Sequence, residues 1–348
     1  MNIIKWENST LYILDQSKLP WKEDWIICFK YQQVIEAIKK LKVRGAPAIG
    51  VATAYGIVLA AFKYTGTNLL AYLHEVMSEF AVSRPTAINL FSTINRMADV
   101  INKNKDLSSI DLKLLLLEEA RKIENEERER SQAIANFGVS IIPPKAKVLT
   151  HCNTGSLATI GLGTALGVIK EGWNRKILEM VYFTETRPLL QGSRLTGWEL
   201  SKEGIPATLI TDNMVGYLFA KKLVDLVIVG ADRITLRGDV ANKIGTYSIA
   251  VLAYHHNIPF YIAAPVSSFD FNLEKGEDII IEEREAEEVL SFMGKRIAPE
   301  GILAINPAFD VTPAEYISGI ITDKGIIYPP YRDNIRKLKE ESYYENSN

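Results

Sequence analysis

Cysteine is nearly absent: Cys28 and Cys152 are the only two in 348 residues. Two thiols so far apart exclude a disulfide framework and point to a reducing, cytoplasmic compartment. Histidine is scarce too, with four (His74, His151, His255 and His256). No CxxC and no His-rich cluster offers a metal its ligands, so no metal is expected. No Ser-His-Asp order stands out for nucleophilic catalysis. Neither sign of charge dominates: 40 Lys and Arg stand against 42 Asp and Glu, a net charge of −2. Without a basic field, nucleic acid and anionic membranes are poor partners. The N-terminal MNIIKWENSTLYILDQ lacks the unbroken apolar stretch of a secretory signal.

What the chain does have is apolar content, 47% of its residues. Its length exceeds what one core usually fills, so two domains are expected. Two uncharged runs, 45–62 and 152–169, are long enough to cross a bilayer. Both are rich in Gly, Ala and Thr and begin with polar turn residues, which suits buried helices packed through small side chains better than a membrane span.

Residues 3–14 read as two short strands around a turn at 7–9. Helices are expected over 31–42, 48–63, 68–80, 89–102 and 108–137 from their apolar spacing. Two helix starts carry an arginine beside turn residues: Arg44, Gly45 and Ala46 before Pro47, and Arg84 before Pro85. Guanidinium, amides and helix dipole there all favour an anion. Pro143-Pro144 marks the best boundary, dividing a mainly helical domain with short strands (1–143) from a second domain (144–348). Beyond it, strands are expected at 147–151, 177–183, 207–211, 225–230, 259–264 and near 318–323, with helices between most of them. That alternation describes an α/β, doubly wound, Rossmann-like parallel sheet.

Polar clusters fall at the ends of successive strands, which an open parallel sheet gathers along one edge. The first, KVLTHCNTGSLAT (147–159), reads as strand, tight turn and helix start, with Ser156 placed to cap the helix. Cys152 sits where helix-start amides favour its thiolate. TETRPLLQGSRLT (184–196) brings Glu185, Arg187, Gln191 and Arg194. VGADRI (229–234) places Asp232 just past an apolar strand, a setting that suits a protonated carboxyl. GDVANKIGT (238–246) brings Asn242 and Lys243, read as a further helix start. GLGTALG (161–167) is a poor dinucleotide fingerprint: it begins about ten residues beyond the strand, inside the expected helix and outside the strand-to-helix turn. Cations at helix starts suit a phosphate, and a thiolate with a carboxylic acid suits paired proton transfer. Together they point to an isomerase acting on a phosphorylated small molecule.

The stretches RGAPAIG, SRPTAINLF, HCNTGSLAT, ETRPLLQGSRLT, VGADRI and GDVANKIGTYSIA closely resemble the methylthioribose-1-phosphate isomerases. These belong to the superfamily that includes the regulatory alpha, beta and delta subunits of translation initiation factor 2B. The resemblance runs from about residue 3 to about residue 330. It implies conversion of 5-methylthioribose 1-phosphate to its 1-phosphoketose in methionine salvage, a homodimer and no cofactor. It assigns catalysis to Cys152 and Asp232, and substrate binding to Arg44, Gly45, Ala46, Arg84, Gln191, Asn242 and Lys243. Two other readings remain open. A sister isomerase on 5-deoxyribose 1-phosphate or ribose 1,5-bisphosphate would keep the same pair and differ around the 5-substituent. A non-catalytic regulatory subunit would not need Cys152 and Asp232 together.

Overall fold

The computed structural model describes residues 2–83 and 88–346. Their packing divides into two units, Met1–Ser131 with Gly155–Gly163, and Gln132–Thr154 with Thr164–Asn348. The division falls before Pro143 because Ile134 and Ile142 join the apolar core of the second unit.

The first unit opens with the expected hairpin, β1 (Ile4–Glu7) and β2 (Thr10–Leu14). Asn8 and Ser9 at its tip both have positive φ, 49° and 55°, which matches the twist of two antiparallel strands. A third strand, β3 (Trp25–Cys28), pairs with β2 and was not expected from the sequence. Five helices follow: α1 (Tyr31–Lys39), α2 (Ala46–Lys63), α3 (Leu69–Ala81), α4 (Ile88–Lys103) and α5 (Ser109–Gly138). Every residue of α2 from Ala48 to Ala61 is buried. A helix apolar on all sides belongs at the centre of a core; α2 is long and apolar enough to cross a membrane, yet is enclosed by its own unit. Against it packs a short return of the chain, α6 (Ser156–Thr159). Here the expected helix breaks: Ile160 and Gly161 turn left-handed at φ 65° and 81°. Gly155, not Ser156, takes the cap position, and Gly161 and Gly163 lie in the break, outside any helix.

The second unit is built on alternating strands and helices: β4 (Ala146–Thr150), α7 (Ala165–Asn174), β5 (Leu178–Thr184), α8 (Gly197–Lys202), β6 (Ala207–Ile210), α9 (Val215–Ala220) and β7 (Leu226–Val229). Then come β8 (Arg233–Ile234), β9 (Val240–Lys243), α10 (Thr246–His255), β10 (Phe260–Ala263), α11 (Glu287–Leu290), β11 (Ser291–Phe292) and β12 (Lys295–Arg296). The chain ends with β13 (Phe309–Thr312), β14 (Gly319–Thr322), β15 (Gly325–Ile327) and α12 (Tyr331–Asn346). The main sheet runs β15-β14-β10-β7-β4-β5-β6. All its pairs are parallel except β14 with β15. Neighbouring residues face opposite cores: Leu149, Val227, Val229, Phe260 and Ile262 on one side, Val148, Leu226, Ile228 and Ala263 on the other. A sheet buried on both faces needs such continuous apolar strands. The six expected strands are all present. The small antiparallel sheet β13-β9-β8 was not foreseen.

Candidate active site

The order of the main sheet locates the site. From β4 the chain winds outward through β5 to β6, then returns to lay β7 on the opposite side of β4 and winds outward again through β10 to β14. The direction reverses between β4 and β7. In open α/β sheets the crevice for a ligand opens at the carboxyl ends of the strands flanking such a switch point. Cys152 follows β4 and Asp232 follows β7, so the winding brings both to the switch point. The loops touch: a Cβ on Gly230 would lie 2.7 Å from Thr154 Cγ2, so glycine lets them close on each other.

Cys152 is buried and holds a left-handed backbone, φ 60°, a conformation that disfavours a side chain. Threonines hold its peptide groups on both sides. Its N–H donates to Thr186 Oγ1 at 3.0 Å, and its carbonyl accepts from Thr196 Oγ1 at 2.5 Å. The next residue, Asn153, donates from Nδ2 to Thr196 Oγ1 (3.2 Å) and to Glu199 Oε1 (2.9 Å). Glu199 is fully buried and pairs with buried Lys170 at 3.0 Å. On the other side, His151 Nδ1 lies 2.6 Å from Thr184 Oγ1, and its Nε2 2.9 Å from Ile244 O. Burial holds the imidazole below its ordinary pKa, against the opposing pull of Asp212. Asp212 in turn accepts the Thr186 and Arg187 amides at 2.8 and 2.7 Å, fixing the end of β5. Burial, then the charge of Asp212, raises the pKa of nearby Glu185.

Asp232 is exposed, which corrects the buried setting expected of it. The apolar strand stops at Val229, and Gly230 and Ala231 carry the chain beyond the sheet before Asp232 is reached. Asn242 and Lys243 also differ from expectation. They end strand β9, and α10 starts three residues later at Thr246. Asn242 Nδ2 donates to Thr246 Oγ1 at 2.9 Å. Lys243 Nζ donates to Ala308 O at 2.9 Å and lies 4.6 Å from the centre of the Phe309 ring. Asp310, paired with Asn242 across the ladder, accepts the Gly245 and Tyr247 amides at 2.7 and 3.0 Å. Burial pushes its pKa up to about 6.

Gln191 is buried, and its Oε1 has no hydrogen-bond partner. A buried carbonyl oxygen in that state is suited to a ligand hydroxyl. It leads into one wide π turn, Gly192–Thr196, a distortion frequent at functional sites. The turn sits so close to β5 that a Cβ on Gly192 would lie 1.8 Å from Thr184 O.

In the first unit, Arg44, Gly45 and Ala46 form the entry to α2, with Gly45 at the cap position in a positive-φ conformation (86°). A Cβ there would lie 2.2 Å from Ala158 O, so only glycine lets α6 approach. Arg44 is half-buried. Arg84 lies outside the described residues.

Among the described residues no group of His, Cys, Asp and Glu could hold a metal ion. The threonines and the Lys170–Glu199 pair were not picked out in the sequence. Thr184-x-Thr186 at the end of an apolar strand is the one local signal that could have drawn attention to them.

A doubly wound sheet, with a cysteine and an aspartate following the two strands at its switch point, defines the class, an open-sheet α/β protein. Residues 42–329 match the Initiation factor 2 subunit family. The chain is similar over nearly its whole length to proteins named methylthioribose-1-phosphate isomerase. It is 51% identical to that of Desulforamulus reducens, over 97% of this chain and 99% of the relative. It is also 51% identical to that of Caldicellulosiruptor saccharolyticus, over 98% and 100%. Among solved structures, 5-methylthioribose 1-phosphate isomerase from Pyrococcus horikoshii superposes with a TM-score of 0.94 at 42% identity, covering 97% of this chain and 95% of that one. A translation initiation factor eIF-2B delta subunit from A. fulgidus gives 0.90 at 45% identity, covering 97% and 99%. The chain belongs to the Initiation factor 2 subunit family, on its methylthioribose-1-phosphate isomerase branch.

Proposed function

We propose that this chain is an aldose–ketose isomerase that converts 5-methylthioribose 1-phosphate to 5-methylthioribulose 1-phosphate in methionine salvage, with no cofactor. One observation carries the reading: Cys152 and Asp232 follow the two strands at the switch point, in a chain half-identical to the isomerases from end to end.

A sugar with phosphate on its anomeric oxygen cannot open its ring as a free aldose does. An acid must protonate the ring oxygen, and Asp232 takes that role. Because Asp232 is exposed, the desolvation that keeps a proton on it comes from the sugar seated over it. Cys152 removes the proton from C2 or steadies the charge formed there, and hydrogen is delivered to C1. Its held backbone supplies the fixed geometry such a transfer needs. Deuterium from the solvent at C1 of the ketose marks a proton route; its absence marks a hydride shift.

Arg44, with the Gly45 and Ala46 amides at the start of an 18-residue helix, offers an anion a charge and a dipole. Arg84, Gln191, Asn242 and Lys243 complete the substrate-binding set. The protein acts as a cytoplasmic homodimer.

The test is ketose formation from 5-methylthioribose 1-phosphate by the parent, Cys152→Ala and Asp232→Asn. Both variants are expected to lose at least about 100-fold in kcat with folding intact. Full turnover by either would refute that residue's role. Turnover of 5-deoxyribose 1-phosphate or ribose 1,5-bisphosphate in place of this substrate would keep the chemistry and change the substrate.

A further inference from the structure

Cys152 holds a backbone conformation that its own side chain disfavours, φ 60°. Something must hold it there, and the hydrogen bonds on one side can be given a direction. A carbonyl oxygen only accepts, so His151 Nε2, 2.9 Å from Ile244 O, carries the ring proton. Burial disfavours a second proton on this imidazole, which leaves Nδ1 as an acceptor. The Thr184 hydroxyl, 2.6 Å away, therefore donates to it. With its proton committed, Thr184 Oγ1 accepts from the Thr186 hydroxyl at 3.2 Å, closer than that hydroxyl's other acceptor, Thr184 O at 3.5 Å. Thr186 Oγ1 then accepts the Cys152 N–H at 3.0 Å. The bonds run one way, from the Cys152 amide through two hydroxyls and an imidazole to the Ile244 carbonyl.

The far end matters as much. Ile244 directly follows Asn242 and Lys243. Gly245 beyond it has φ 105°, and a Cβ there would lie 3.1 Å from His151 Cε1, so glycine makes room for the ring. The Gly245 amide is held by Asp310 Oδ2 at 2.7 Å. Loops following β4, β5 and β9 are thus tied into one hydrogen-bonded unit behind the proposed site.

We propose that His151, Thr184 and Thr186 are positioning residues, a directed hydrogen-bond chain that locks the Cys152 turn to the turn that directly follows Asn242 and Lys243. The proposal rests on the assignment of Cys152 to catalysis. The role of these three residues is to position and not to touch substrate. The hydrogen-bond chain holds the thiol and the β9 end at a fixed separation, and a displacement of about 1 Å in such a site costs on the order of 100-fold in rate.

The test uses isosteric pairs. Thr184→Val and Thr186→Val keep the side-chain shape and remove the hydroxyl; Thr184→Ser and Thr186→Ser keep the hydroxyl. With 5-methylthioribose 1-phosphate, the valine variants are expected to lose about 10- to 100-fold in kcat, and Thr186→Val, at the cysteine end, to keep KM within about threefold. The serine variants should return to within about threefold of the parent, a rescue that a packing role would not produce. Independently of any variant, nitrogen-15 NMR of the parent protein at pH 7 should show His151 as the neutral Nε2–H tautomer. Valine variants with the parent's kcat, serine variants as impaired as valine, or a His151 proton on Nδ1 would each overturn the proposal. Cys152→Ala, run alongside, separates the two readings. If it keeps full turnover, the catalytic assignment itself falls; if it is dead while the valine variants are fully active, only the positioning chain falls.

Discussion

Replacing Lys170 by methionine would remove a cation that is 2% exposed and that bridges two carboxylates, Glu199 Oε2 and Glu203 Oε1, both at 3.0 Å. The two carboxylates are not equivalent. Glu203 is 37% exposed and can return to water, whereas Glu199 is 0% exposed and cannot. The cost of the substitution is therefore mainly that of a buried carboxylate deprived of its counter-charge, about 3–5 kcal/mol. For a unit of this size that is on the order of a 10 °C loss in Tm. Adding Glu199→Gln to Lys170→Met removes the stranded charge while an amide oxygen can still accept from Asn153, so the double variant should be more stable than Lys170→Met alone. The coupling in such a cycle should reach at least about 1.5 kcal/mol. The pH dependence follows from the direction of the shift. Burial alone would lower the ammonium pKa, but Glu199 and Glu203 more than offset it, and the folded value lies above 10.5. The stabilisation is then fully present below pH 10.5 and lost only as pH rises through the folded value. The gap between parent and Lys170→Met should close in alkali. Urea unfolding of the four proteins measures all of this. A cost below about 1 kcal/mol for Lys170→Met, or no recovery in the double variant, would refute the reasoning.

Gly45→Ala should destabilise the protein by about 3 kcal/mol or more, since it forces a side chain into a strained conformation and against a backbone oxygen. Gly204→Ala, at φ 64° with nothing within 4 Å of its Cβ position, should cost only about 1 kcal/mol; equal costs in denaturant unfolding would show that the close approach of Ala158 is unimportant. Asp310 binds its proton more tightly when folded, with a pKa pushed from 3.8 to about 6. Its contribution to stability is thus fully present below pH 3.8 and falls across that interval by about 3 kcal/mol. The excess stability of the parent over Asp310→Asn should shrink between pH 4 and pH 6 by roughly that amount, and an excess that grows with pH would contradict the assignment.

Much of the architecture was legible because it is written in local periodicity. Six of the seven strands of the main sheet each stand within about a residue of where the sequence predicts them. Elements that depend on a distant partner were not legible. Trp25–Cys28 is a four-residue run that becomes a strand only by pairing with β2. Asn242 and Lys243 resemble a helix start locally, and become a strand end because residues 309–312 lie alongside. The uniform small-residue content of 152–169 conceals the left-handed break at Ile160 and Gly161. Cys152 and Asp232 could be singled out because each ends a strand. Their supports could not: His151 meets Thr184 at a separation of 33 residues and Ile244 at 93. Exposure of Asp232 is likewise a property of where the loop leads, not of the strand before it.

The short return at Gly155–Gly163 has a practical consequence for anyone dissecting this protein. The first unit is not a continuous piece of chain. A fragment stopping at Ser131 would omit α6, all four of whose residues are buried. It would strip one side of α2 and leave the Gln16 side chain without the Leu157 carbonyl that it reaches at 2.7 Å. Expressed alone, such a fragment should be sticky and poorly folded, and a synthetic peptide spanning 155–163 should rescue it in trans. Nor can the C-terminal half be trimmed at that point without cutting the link from β4 to α7. Inheritance of the two halves is therefore coupled at the level of the gene: neither can be shuffled onto another scaffold by a single crossover.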